Sequence, residues 1–115
     1  MNKFEAKAFI GKISEFCCEN EDGNPDVSYY IKIVIPHEDK DNERVYQYID
    51  CYVAKSLKRL FASIYATQTD AHKSNKATHC LSGQIVTVNI VGLFFDINDE
   101  GYLTGKGTLS SLTFS

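Results

Sequence analysis

Between Arg44 and Phe61 the spacing of apolar residues changes from two to between three and four. Val45, Ile49, Cys51 and Val53 fall on one side of an extended segment, with Gln47 as the exception. Arg44, Tyr46, Tyr48, Asp50 and Tyr52 fall on the other, as in a strand with one face on a core. Leu57, Leu60, Phe61 and Ile64 then recur at helical spacing, with Lys55, Lys58 and Arg59 between them. A strand that presents three tyrosines and an arginine therefore runs into a short basic amphipathic helix, placed at about Ala54 to Tyr65.

The other segments read as strands. Lys3 to Phe16 opens with Phe4, Ala6, Ala8 and Ile10 alternating against Lys3, Glu5, Lys7 and Phe9, and Gly11 marks a bend or bulge. Glu19 to Asp26 holds Asp-Gly and Asn-Pro turn signals. In Val27 to Ile35 one face takes Val27, Tyr29, Ile31, Ile33 and Ile35, the other Ser28, Tyr30, Lys32 and Val34, and Pro36 is expected to stop the strand. His37 to Glu43 reads as a charged hairpin loop, and Ala66 to Thr78, polar and without periodicity, as a mobile loop. Gln84 to Phe95 and Tyr102 to Phe114 are the last two strands, joined by the Asn98–Gly101 turn. Gly92 suggests a second bulge, and Gly105 and Gly107 let the final strand curl.

Three strands, a helix and two strands, glycine-bent and without repeats, suit a small closed barrel better than a flat sheet with open edges. The expected fold is an all-β, five-stranded OB-fold barrel with one short helix between strands three and four, a single domain over residues 1–115.

Chemistry is constrained by what is present and where. The formal charge is −3, which argues mildly against nucleic acid, but the charges are segregated. Glu15, Glu19, Glu21, Asp22 and Asp26 cluster without a cation, whereas Lys55, Lys58, Arg59, Lys73 and Lys76 face Asp70 alone. Such segregation leaves room for a local positive face on a net acidic protein. Cys17, Cys18, Cys51 and Cys80 lack metal-ligand spacing, as do His37, His72 and His79, so no metal or cofactor is expected. With no secretory signal or bilayer-length apolar run, reduced thiols in a cytoplasm are the expectation. There is no nucleophile elbow, phosphate loop or dinucleotide fingerprint, and no catalytic residue is assigned.

The residue types that do gather are aromatic and basic. Tyr46, Tyr48 and Tyr52 share a strand face with Arg44, and Tyr30 and Lys32 share the outward face of the preceding strand. Rings beside cations are what holds unpaired bases and their phosphates. Lys55, Lys58, Arg59, Lys73 and Lys76 would form the phosphate track, with Lys3, Lys7 and Lys12 as extensions interrupted by Glu5. Strand tyrosines covering a subunit contact and a merely solvated helix face are the plain alternatives.

Three stretches carry a resemblance. Tyr48 to Leu57 is similar to strand three and the helix entry of the bacterial single-stranded DNA-binding protein family and its PriB-like relatives. Leu81 to Gly92 resembles that family's strand four, and Tyr102 to Phe114 its final strand. The resemblance places the family's stacking aromatic on Tyr48, with Tyr30 and Phe94 or Phe95 nearest to its other stacking positions. Tyr stands where the family often has Trp, and the acidic partner-recruiting tail is missing, as in PriB-like, phage-encoded or plasmid-encoded binders. It implies single-stranded DNA as partner, with RNA an option, little sequence preference, a homodimer or homotetramer, and a part in DNA replication or maintenance beside replication proteins. The other class is an OB-fold protein-interaction module without nucleic-acid binding, favoured by the negative charge and the Phe94-Phe95 pair.

Overall fold

Gly11 sits two residues beyond Phe9, where the first strand changes partner. The computed structural model describes residues 3–38, 40–73, 79–101 and 103–114, apart from the side chains of residues 70–73. Its strands are β1 Lys3–Glu19, β2 Pro25–Glu38, β3 Arg44–Val53, β4 Ile85–Ile97 and β5 Leu103–Phe114. β1 pairs antiparallel with β4 from Lys3 to Phe9 and with β2 from Phe9 to Glu19. Between Ile10 and Ile13 the β1–β2 register slips, so that Gly11 and Lys12 stand opposite Lys32 alone. Such a bulge tightens the coil of a strand and turns it round a barrel corner. Space is short there, since a Cβ on Gly11 would meet the Lys32 carbonyl oxygen at 3.1 Å.

β3 pairs antiparallel with β2 and parallel with β5, and β5 pairs antiparallel with β4. The result is a closed barrel in the order β1-β2-β3-β5-β4, with the helix between β3 and β4. This is the OB-fold. Closure leaves no edge along the barrel wall.

The inward residues are those the alternation assigns. Ala8, Ile10, Ile31, Ile33, Ile49, Cys51, Val86, Val88 and Ile90 are buried in one cluster with Leu109. Burial pushes the Cys51 thiol up to about 12, helped by neighbouring Asp50, so it packs as a neutral apolar group. Tyr29 is also buried, its ring 5.9 Å from that of Tyr65, and its hydroxyl donates to Glu15 at 3.1 Å.

Four elements run further than their sequences suggest, β1 to Glu19 and β4 to Ile97 among them. β2 continues through Pro36 to Glu38. The last β1–β2 pair on that side is Phe9–Val34, so β2 beyond it has β3 on one side only. A proline is tolerated on such an edge. The helix begins with a 3-10 turn, Lys55–Leu57, and continues as α1, Lys58–Lys73. Residues 66–73, expected in a mobile loop, are helical, and residues 74–78 of that loop lie outside the described residues.

Gln68 explains the extension. Phe61 and Ile64 bury α1 against the core, and the next turn holds the barrel by its amide instead. Gln68 Nε2 donates to the Ile13 carbonyl at 3.0 Å, and Gln68 Oε1 accepts from the Ile13 N–H at 3.3 Å. His79 holds the other side of the bulge. The Leu81 N–H donates to His79 Nδ1 at 3.2 Å, so the proton sits on Nε2, which donates to the Gly11 carbonyl at 3.2 Å. Polar groups released by the bulge are thus satisfied from α1 and from the segment before β4.

The parallel pairing of β3 and β5 starts at Ile49–Gly105. Earlier residues of both strands lie at the same end of the barrel, where the β2–β3 and β4–β5 hairpins project as two ribbons. The β1–β2 loop and the start of α1 occupy the opposite end.

Candidate nucleic-acid interface

Because Ile31, Ile33, Ile49 and Cys51 point inward, Tyr30, Lys32, Tyr48, Asp50 and Tyr52 point outward. Register sets Tyr30 against Tyr52, Lys32 against Asp50, Val34 against Tyr48 and Pro36 against Tyr46. The Tyr30 and Tyr52 rings meet edge to face, with centroids 5.0 Å apart. Lys32 Nζ lies 5.5 Å from the centroid of the Tyr48 ring, within cation–π range. Tyr48 and Tyr52 remain 47% and 56% exposed, so their rings are open to a ligand. Partial burial raises the Tyr30 hydroxyl above its ordinary value, and Asp50 adds to the shift, so the phenol stays protonated.

The next row of the barrel brings Phe94 into line. Asp50 pairs with Lys106 of β5, and Lys106 with Phe94 of β4. Lys32, Asp50, Lys106 and Phe94 therefore run across four strands, and Asp50 has a lysine in register on each side. Lys106 Nζ also lies 3.9 Å from an Asp96 carboxylate oxygen. Phe95 pairs with Gly105 on the inward side, against which an added Cβ would meet its ring at 3.3 Å. Tyr46 and Arg44 stand exposed on the β2–β3 ribbon, with Arg44 opposite Glu38.

The helix cations lie elsewhere. Lys58 forms an ion pair with Asp26 of β2. That pair, with the Val27 N–H, holds the Asp26 carboxyl below its ordinary value. Lys55 and Lys58 line a shallow cleft with Asn20, Glu21, Asp22 and Asp26. They face the acidic β1–β2 loop at the far end of the barrel from Arg44 and Tyr46. Arg59 is exposed on α1. The Lys73 side chain and all of Lys76 lie outside the described residues.

Two residues join the face that the sequence did not single out. Lys106 is one. The other is Phe16, whose ring centroid is 5.9 Å from that of Tyr52. Before the bulge the even residues of β1 point inward; after it Ile13 does, and Ser14, Phe16 and Cys18 turn outward. Gly11 was the available signal. Among the described residues, no group of three or more His, Cys, Asp or Glu side chains is placed to hold a metal ion.

No family model matches the chain. No curated protein matches it either. Among solved structures it is similar to the mitochondrial single-stranded DNA-binding protein Rim1 from S. cerevisiae in two crystal forms. The first form gives a TM-score of 0.47 and 13% identity over 98% of this chain and 94% of that one. The second gives 0.49 and 14%, over 98% and 93%.

Proposed function

We propose that this barrel binds single-stranded DNA without strong sequence preference. Its outward tyrosines stack bases, and Lys32, Arg44 and Lys106 meet phosphates. The observation that carries this reading is the β2–β3 face itself: Tyr46, Tyr48 and Tyr52 exposed on one strand, with Tyr30 and Lys32 in register beside them. Stacking needs open aromatic faces and tolerates any base. Lys32, its Nζ 5.5 Å from the Tyr48 ring centroid, supplies a cation beside that ring for the phosphate of a nucleotide stacked there. Phe94 on the neighbouring ribbon extends the surface. Lys55, Lys58, Arg59, Lys73 and Lys76 are a second bank of cations, with Lys58 already committed to Asp26.

A role in DNA replication or maintenance follows from such binding. A homodimer or homotetramer lengthens a track that one small acidic domain keeps short. The role is binding, without catalysis, and the compartment is the cytoplasm.

One observation favours a second reading. Phe94, Phe95, Ile97 and Leu103 all stand exposed on the β4–β5 ribbon, which suits a protein-interaction module. Tyrosine fluorescence titrated with oligothymidine at two salt concentrations separates the two. Binding that weakens steeply with salt supports the stacking platform. No binding at low salt leaves the interaction module.

A further inference from the structure

We infer that the base platform continues onto β1, where Phe16 forms one wall of a three-ring notch that seats a single nucleobase. The inference rests on the stacking reading above and extends it to a third strand.

Tyr52, the most exposed of the face's tyrosines, is flanked by two rings. Tyr30 stands 5.0 Å from it and Phe16 5.9 Å, each with its plane at 71° to that of Tyr52. A base laid flat on Tyr52 lies at the same 71° to both neighbouring rings, the inclination of the edge-to-face arrangement that aromatic rings favour. Phe16 reaches Tyr52 because the residue between them is small: Phe16 pairs with Ser28 of β2, and the Ser28 hydroxyl is turned to Cys18 Sγ at 3.4 Å. With a large side chain at that position the two rings would be kept apart.

The notch differs in kind from the Tyr48 subsite. Tyr48 has Lys32 over its ring and sits next to the projecting ribbons. The notch has three rings and borders the acidic β1–β2 loop, with Glu19, Glu21 and Asp22 beyond it. Lys55 and Lys58 share a cleft with Glu21 and Asp22 at this end of the barrel, so a strand crossing from Tyr48 meets mixed charge beyond Phe16. Tyr48 and Tyr52 are four residues apart on β3, about 13 Å at strand rise.

The chain contains no tryptophan, so Phe16→Trp introduces one indole reporter. Titration of this variant with oligothymidine is expected to quench its emission saturably. Phe114→Trp, on the β4–β5 side, is expected to stay unquenched. Phe16→Ala is expected to bind roughly tenfold more weakly, and Phe16→Trp to bind like the wild type. Unquenched emission from Phe16→Trp under saturating oligothymidine, with wild-type affinity for Phe16→Ala, overturns the β1 subsite. If Tyr48→Ala still weakens binding in that case, the stacking reading survives alone. If the wild type fails to bind oligothymidine at low salt, both fall.

Discussion

Tyr30 and Tyr52 face each other across the β2–β3 ladder, ring centroids 5.0 Å apart, with planes at 71°. The pair explains how an exposed ring is held still. Edge-to-face contact restrains Tyr52 while leaving it 56% exposed. A ring fixed before binding loses less entropy when a base stacks on it. Tyr52→Ala is expected to weaken oligothymidine binding by about 1–3 kcal/mol. Tyr52→Phe, which keeps the ring, is expected to bind like the wild type. Equilibrium titration of both variants checks this.

Lys32 and Lys58 make opposite predictions about salt. Lys32 lies over an exposed ring, whereas Lys58 is paired with Asp26. Each phosphate contact on a single strand contributes about 0.7 to the slope of log affinity against log salt. Lys32→Gln is expected to reduce that slope by about this amount. Lys58→Gln is expected to leave it unchanged. Titrations over a range of salt concentrations measure both.

Gln68 carries a stability prediction. Its amide satisfies both the N–H and the carbonyl of Ile13 beside the β1 bulge. Gln68→Leu keeps the volume and leaves those two groups without their partner, at a cost of about 1–3 kcal/mol. Urea unfolding measures the loss. Amide exchange at Ile13 is expected to quicken in the variant.

The Asp26–Lys58 pair predicts a pH dependence. The folded-state pKa of Asp26 lies below its ordinary value of 3.8. Its contribution to stability is therefore present above 3.8 and lost as pH falls through the folded value. Asp26→Asn is expected to unfold at lower urea than the wild type at neutral pH. That gap is expected to close in strong acid. A gap that widens toward acid contradicts the assignment.

The barrel was legible in the sequence because period-two alternation survives wherever one face is buried. Val86-Val88-Ile90 and Ile31-Ile33 show this plainly, and they are inward in the structure. What escaped depends on events that alternation cannot register. The bulge at Gly11 reverses the parity of β1, so Phe16 turned outward with only that glycine, and no apolar period, to announce it. Gln68 anchors the last turns of α1 through hydrogen bonds, which leave no apolar period. The Lys58–Asp26 pair joins residues far apart in the chain, so the basic helix looked freer than it is. The Tyr30, Lys32, Tyr48 and Tyr52 cluster was readable because neighbouring antiparallel strands, joined by a short hairpin, keep their outward faces together.

The central claim is that the outward tyrosines of β3 form a platform for bases, and a double substitution tests it most directly. Tyr48 and Tyr52 lie about 13 Å apart along the strand, far enough for their effects to add. Oligothymidine affinity is measured at low salt for the wild type and for Tyr48→Ala/Tyr52→Ala, with circular dichroism confirming that both are folded. The account predicts a loss of about 2–6 kcal/mol in the folded double variant. A folded double variant that binds as tightly as the wild type would contradict it.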